Sequence, residues 1–351
     1  KSHIIAAFEY YLSPQNIGEH GLCKIYEGDW LDAVNKAGTN GRGESVMVSC
    51  QLIMALETWS EIFKEIYNDD FTKDITSQWE LCAAALRDNV RRQAYNRRGF
   101  FNSVFTDGGE WIFSDNDGDG FARVYGPVNY YAILCGAADE QMKNEIWKNI
   151  ETLKCDSGYR LFYPPFGEKA LNNVGRIASG DVAEGLWENG TVYNHGSQCF
   201  LARAAAECGR GELLSEVIRY ILPYGQKQHP VEKTHSAPYA VVNCYQDLPY
   251  FKHCAGMPFL TGTIAMSLRI IYSWMFGIRF KLNKMLIKPC FSSGKINKSI
   301  RFTARDKNIT IEYCGVNSGA APRIFLNGKE VYDGGISYAD LKDDNIIKVE
   351  F

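Results

Sequence analysis

Glu27-Gly28-Asp29-Trp30-Leu31-Asp32, then Gly41-Arg42-Gly43-Glu44-Ser45, then a long apolar run: the rest of the chain can be read outward from this stretch. Two aspartates flank a tryptophan, and ten residues beyond Asp32 an arginine stands just ahead of the run. A carboxylic acid beside a large flat ring suits protonation of a sugar's leaving oxygen, its pKa raised by a partly apolar pocket. An arginine at a helix start suits an anion. The motif alone does not separate Asp29 from Asp32, and either is equally at home as an ordinary turn residue. From Ser45 to Tyr67, Val46, Ile53, Leu56, Ile62, Phe63 and Ile66 recur with a period near 3.6, which predicts a helix.

Moving outward, residues 4–12 read as one helix. Another starts at Ser77, with Ser77 and Glu80 as a capping box, and runs through Leu81, Leu86 and Val90. Helix pairs follow over residues 130–138 with 142–153 and 196–208 with 213–222, and a strongly apolar helix covers 263–276. Residues 99–120 and a segment from 223 to 258 rich in Pro, His and Tyr read as loops, and 158–187 as a long connection with short extended pieces. Successive helix pairs predict an α/α toroid. Beyond Gly277 the texture changes. Met285-Leu286-Ile287-Lys288, Ile300-Arg301-Phe302, Ile309-Thr310-Ile311-Glu312-Tyr313, Arg323-Ile324-Phe325-Leu326 and residues 346–351 are short strand-like runs between Gly, Asn and Asp turns. The expected organisation is a helical part over residues 1–277 and a β-rich part over 278–351.

Three glycine-bearing loops lead straight into apolar helices: Gly41-Arg42-Gly43-Glu44-Ser45, Tyr193-Asn194-His195-Gly196 and Leu260-Thr261-Gly262-Thr263. Helix starts expose unpaired N–H groups, so each is a candidate anion site. In a toroid the starts of the inner helices converge on one mouth, where Arg42, His195 and the backbone of 261–263 would surround a phosphate. The bland alternatives are a polar histidine satisfied at a helix start and an N-cap threonine with a close-packed glycine. Glu188 and Asn189 in Trp187-Glu188-Asn189-Gly190 either shape a turn or bind sugar hydroxyls.

Composition narrows the function classes. A 46% hydrophobic and 23% charged chain of 351 residues is ordinary for a globular protein. A net charge of −3, without a concentrated Lys/Arg stripe, speaks against nucleic acid as a partner. The 11 cysteines form no C-x-x-C pair and no zinc-spaced cluster, which predicts reduced thiols in a cytoplasmic protein. No signal peptide opens the chain and no run reaches membrane-spanning length, so no membrane association is expected. Asp115-Asn116-Asp117-Gly118-Asp119-Gly120 matches the first six positions of a calcium loop, but Gly126 stands where the twelfth needs a carboxylate. A solvated acidic turn and no metal are expected.

Gly28-Asp29-Trp30-Leu31-Asp32-Ala33-Val34-Asn35 with Gly41-Arg42-Gly43-Glu44-Ser45-Val46 resembles the G-D-W-N-D-G-M-N…G-R-G-E-S-V signature of the inverting disaccharide phosphorylases of glycoside hydrolase family 94. Glu188-Asn189-Gly190 through Asn194-His195 resembles the family's E-N-G…H segment, Pro238-Tyr239 its P-Y-V loop, and Leu260-Thr261-Gly262-Thr263 with Ile287-Lys288-Pro289-Cys290 its T-G-T…helix…D-P-C ending. The pieces occur in the family's order.

The resemblance implies an (α/α)6 barrel, partial here, followed by a small C-terminal β domain. It implies cleavage of a β-glucosidic bond by inorganic phosphate with inversion, giving α-glucose 1-phosphate without a further cofactor. It selects Asp32 as the general acid, with Trp30, Glu188 and Tyr193 at the sugar and Arg42, His195, Thr261 and Gly262 at the phosphate. A lone acid makes chemical sense. An inverting hydrolase needs a second carboxylate to activate water, whereas phosphate arrives already anionic and nucleophilic. Leu31 and Ala33-Val34 depart from the family's Asn and Gly-Met, and this variant looks most like the β-1,2-oligoglucan phosphorylase branch. Family members carry a β-sandwich and the first barrel helices ahead of this loop, where here 28 residues precede Asp29. The chain is therefore expected to be the C-terminal half of such an enzyme, acting as a homodimer or with an N-terminal half. The competing expectations are an inverting hydrolase on the same barrel and a non-catalytic subunit.

Overall fold

Ser45 begins the element that anchors the fold. Its backbone is extended and its side chain accepts from the Val48 N–H, capping helix α2 (Val46–Ile66). The computed structural model describes residues 1–168, 170–223, 228–259, 261–332 and 334–351. Helix α1 (Ser2–Leu12) precedes α2. By length and composition α2 would cross a membrane. Its apolar face, from Val46 through Ile53, Leu56 and Phe63, is instead buried, and Glu57, Glu61, Lys64 and Glu65 occupy the other side. That two-sided pattern marks a core helix.

Helix α3 (Asp70–Ala94) packs along α2 and starts seven residues before the predicted capping box at Ser77 and Glu80. The true cap is Asp69, whose Oδ1 accepts from Thr72 N at 2.8 Å. The buried Thr76 returns its hydroxyl to the Thr72 carbonyl at 2.8 Å, so polar residues enter the core satisfied and break the apolar period. Helices α4 (Gly126–Leu134) and α5 (Glu140–Glu151) form the next pair. The predicted helix over 196–208 begins as a π-turn, His195–Cys199, and continues as α6 (Phe200–Glu207). Helix α7 spans Gly211–Ile221. The predicted helix over 263–276 is α8 (Thr263–Arg269) followed by a π-helical stretch, Ile270–Met275.

The segment read as a loop from 223 to 258 is largely a hairpin. Strands β2 (Val242–Leu248) and β3 (Phe251–Pro258) pair antiparallel, and β1 (Val192–Tyr193) adds to β2, with Cys244 opposite Tyr193. Val242, Asn243, Cys244 and Tyr245 are all buried, so β2 carries no two-residue alternation, and the surrounding prolines and histidines read as loop.

The chain divides into two compact units, residues 1–204 with 223–263, and residues 205–222 with 264–351. The residues from 264 to 277 and helix α7 thus cluster with the C-terminal strands. In this second unit β4 (Ile278–Phe280), β5 (Lys284–Ile287) and β10 (Gly335–Ser337) form one sheet. The other has the order β6-β7-β11-β8-β9: β6 (Gly294–Ala304), β7 (Lys307–Asn317), β11 (Asp344–Glu350), β8 (Arg323–Leu326) and β9 (Lys329–Val331). Ile309, Ile311 and Tyr313 of β7 and Ile347 and Val349 of β11 alternate inward to make its core. Arg305 and Asp306 join β6 to β7 with positive φ at both positions, the turn whose twist matches the hairpin.

Candidate active site

Asp29 and Asp32 sit in unlike surroundings. Asp29 Oδ1 accepts from Leu31 N at 2.8 Å and Oδ2 from Ser45 Oγ at 2.7 Å, and burial pushes its carboxyl above the usual range. Ser45 thus caps α2 and ties down the acid loop at once. Asp32 opens a single 3-10 turn (Asp32–Val34), with its carboxylate turned outward and its side chain 79% exposed.

Asp32 is met by a residue that the motifs did not single out. The segment around Gly175 is laced to 33–36: Lys36 N donates to Val174 O, Ile177 N to Ala33 O and Arg176 N to Asn35 Oδ1. A Cβ at Gly175 would come within 2.6 Å of Ala33 O, so only glycine permits this approach. Arg176 Nη2 then reaches Asp32 Oδ1 at 2.8 Å and Glu188 Oε1 at 3.2 Å. The other oxygen of Glu188, Oε2, is buried and has no hydrogen-bond partner among the described residues. A buried acceptor in that state is what a ligand hydroxyl would satisfy.

Trp30 lies on the π-turn, its ring edge-on to Tyr193, His195 and Phe200 at centroid distances of 6.0, 5.8 and 5.5 Å. A Cβ on Gly196 would stand 2.1 Å from Trp30 Cη2. His195 in turn abuts Gly262, where a Cβ would be 3.3 Å from the imidazole. Burial pushes His195 below its ordinary pKa, so the ring is held neutral. Burial, reinforced by the charge of Glu188, pushes the Tyr193 phenol up to about 12 and keeps it protonated.

Asn243, on β2, joins these groups: its Nδ2 donates to Tyr193 Oη at 2.9 Å and its Oδ1 accepts from Thr261 Oγ1 at 2.9 Å. Thr261 Oγ1 also accepts from Thr263 N at 3.1 Å. Trp30, Asp32, Glu188, Tyr193, His195, Thr261 and Gly262 line one cavity of about 260 Å³, together with Leu31 and Asn243. Leu260, part of the third glycine loop, lies outside the described residues.

Arg42 does not join them. Its Nη2 pairs with Glu19 at 2.9 Å and its guanidinium lies over the Phe105 ring, while Asp107 accepts from the Arg42 N–H. Two of the three glycine loops converge and the first does not. Its Glu44 is fully buried, accepting from the backbone of His20 and Leu22 and meeting His20 Nδ1 at 2.5 Å, so this loop builds the scaffold. Arg176 follows a glycine in Asn172-Asn173-Val174-Gly175-Arg176, the same glycine-arginine signature as Gly41-Arg42 in a segment read only as a connection. Asn243 could have been found only by reading the 223–258 segment as strands. In the acidic turn, Asp117 and Asp119 both bind Arg123, and Asp115 pairs with Arg97.

The catalytic-domain model of the glycosyl hydrolase 94 superfamily matches residues 2–277. The chain is 28% identical to the solabiose phosphorylase of Paenibacillus borealis, over 94% of this chain and 42% of that protein. It is 29% identical to the 3-O-beta-D-glucopyranosyl-beta-D-glucuronide phosphorylase of the same organism, over 82% of this chain and 36% of that one. The chain thus spans well under half the length of these curated relatives. A solved sialidase chain superposes with a TM-score of 0.58 at 14% identity, over 99% of this chain and 30% of its own, a likeness of fold alone. With the family model covering far more than half of its residues, the chain belongs to the glycosyl hydrolase 94 superfamily through the catalytic domain.

Proposed function

We propose that this chain is the catalytic part of an inverting glycoside phosphorylase, built on an (α/α)6 barrel over residues 1–277 with a small β domain over 278–351. It cleaves a β-glucosidic bond with inorganic phosphate and releases α-glucose 1-phosphate. The observation that carries the reading is the cavity itself, where Asp32 and the half-satisfied Glu188 share a wall with His195, Thr261 and Gly262. Asp32, open to the cavity, protonates the departing glycosidic oxygen. Phosphate, held by the neutral His195 and by the Thr261 and Gly262 groups, attacks the anomeric carbon from the opposite face. Glu188 Oε2 takes a sugar hydroxyl, Trp30 shapes the sugar's bed, and Tyr193 donates from a phenol oriented by Asn243. Arg176, not Arg42, is the cation bonded to the two carboxylates that line this cavity.

Arg176 also weighs against a water-using hydrolase. Asp32 Oδ1 and Glu188 Oε1 bond the same guanidinium nitrogen, so a cation stands between the two carboxylates where an inverting hydrolase would place its water. The relatives named above act on different disaccharides, so the linkage is open within the family, and the Leu31-Asp32-Ala33-Val34 variant favours β-1,2-linked oligoglucans. Contacts from the remaining length of such enzymes would come from a longer form of this chain, a second copy or a separate N-terminal half, in the cytoplasm where the cysteines stay reduced. The decisive experiment is to incubate β-linked gluco-oligosaccharides with and without inorganic phosphate. Glucose 1-phosphate formed only with phosphate is the expected result. Release of free glucose at the same rate without phosphate would overturn the reading in favour of hydrolysis.

A further inference from the structure

A second and larger cavity, of about 430 Å³, takes its wall from the turn that carries Glu188. Gly185 and Gly190 line it, and both are glycine for steric reasons. A Cβ at Gly190 would sit 2.8 Å from Pro165 Cβ, and one at Gly185 would sit 2.5 Å from Asp247 O. Phe121, 56% exposed, and Tyr163, 47% exposed, offer their rings to this cavity. Its polar groups are Arg160, Asp247 and the exposed Glu184. Arg160 Nη2 bonds Asp247 Oδ2 at 3.0 Å, and its guanidinium lies 5.0 Å from the Tyr163 ring centre.

The floor is rigid. Arg123 is 1% exposed and its guanidinium is fully committed, to Asp117 and Asp119 on one side and to the carbonyls of Pro164 and Pro165 on the other. That lock fixes the backbone of Tyr163-Pro164-Pro165 and hence the aromatic wall. Asn189 fixes the turn in the same way, accepting from Phe166 N at 2.8 Å and donating to the carbonyls of Phe166 and Val182.

We infer that this cavity is an accessory binding site for a neutral oligosaccharide, an inference that rests on reading the chain as a glycoside-active enzyme. Two half-exposed rings line the cavity, each with a guanidinium near its centre, and the C–H side of a pyranose packs against such aromatic surface with the hydrophobic contribution it supplies. A donor paired with an acceptor, plus a second carboxylate, matches hydroxyls that both give and accept hydrogen bonds. An anionic ligand meets two carboxylates and a cation already paired. A purely apolar ligand would strip water from the Arg160–Asp247 pair without replacing it. Because the turn from Gly185 to Gly190 lines this cavity and holds Glu188 in the first, occupancy here steadies a residue of the catalytic cavity.

The test is calorimetric titration of the full chain with β-1,2-, β-1,3- and β-1,4-linked glucopentaoses, in the absence of phosphate. The parent is compared with Tyr163→Ala and with the double variant Phe121→Ala/Tyr163→Ala, each checked for an unchanged melting transition. At least one pentaose is expected to bind, with affinity lowered on the order of tenfold in Tyr163→Ala and more in the double variant, while phosphorolysis of the matching disaccharide is unchanged. Equal affinity in parent and variants, or no binding of any pentaose, overturns the accessory site. Loss of pentaose affinity in the variants, with no sugar phosphate formed by the parent, would keep the site and remove the phosphorylase reading instead.

Discussion

Asp29 and Asp32 have the same side chain and opposite prospects. Asp29 is half-buried and both its oxygens are taken up by Leu31 N and Ser45 Oγ, whereas Asp32 faces the cavity beside Arg176. As the proposed general acid, Asp32→Asn is expected to lower turnover of natural β-glucosides by roughly 10²–10⁴-fold. A substrate with a leaving group that needs no proton should be spared most of that loss, and the urea unfolding midpoint should hold. Undiminished turnover of the natural substrate would move the role elsewhere. His195 gives a stability prediction with a definite sign. Its folded pKa is depressed by burial below 6.5, so the unfolded chain binds the proton more readily. The stabilisation is complete above that value and is lost as pH falls through the lowered folded pKa. His253, depressed first by burial and then by Lys233, acts in the same direction. In His195→Asn the fall of unfolding free energy below pH 6.5 should therefore be shallower but not absent. An unchanged slope in pH-dependent urea titrations would mean that the imidazole is not held neutral by burial.

At the scale of elements, the site depends on close approaches of backbone and ring. The π-turn over His195–Cys199 puts Gly196 directly under Trp30. Gly196→Ala is expected to destabilise the protein by about 1–3 kcal/mol, since the added methyl must push the indole or the turn aside. It should also raise KM for the sugar, and a variant with native stability and KM would show that the indole moves freely. The glycine loops, alike in sequence, have divided the labour. The second and third place His195, Thr261 and Gly262 against the cavity, while the first buries Glu44 and uses Ser45 to hold α2 and Asp29 together. Helix periods and the alternation in the C-terminal strands were legible locally, because each is decided by neighbours within a few positions. The start of α3 was not, because buried threonines satisfied by their own helix interrupt the apolar period.

On the scale of the whole molecule, every residue lining the candidate catalytic cavity belongs to the unit formed by 1–204 and 223–263. The second unit has its own core, with Ile347 fully buried between Ile311 and Leu326 on the neighbouring strands. Ile347→Ala is expected to lower unfolding free energy by about 2–5 kcal/mol through the cavity it leaves. KM for oligosaccharide and for phosphate should stay as they are under native conditions. A large change in either KM would show that the strand unit acts on the cavity. Since the chain spans 42% of the solabiose phosphorylase it resembles, rates measured on it describe this part of such an enzyme.

The sequence by itself determined the family, the order of the helices and the strand character of the C-terminal segment. Those features are written in spacings of a few residues, where periodicity and turn chemistry act. Only the tertiary structure decided which aspartate faces the cavity and which is tied to Leu31 and Ser45, that Arg42 serves the scaffold, that Asn243 lines the cavity and that Arg176 bonds two of its carboxylates. Arg176 and Asp32 are 144 positions apart, and what joins them is the packing of two backbone segments against Gly175. Such a contact has no local signature, because its free energy is realised only once the chain has closed.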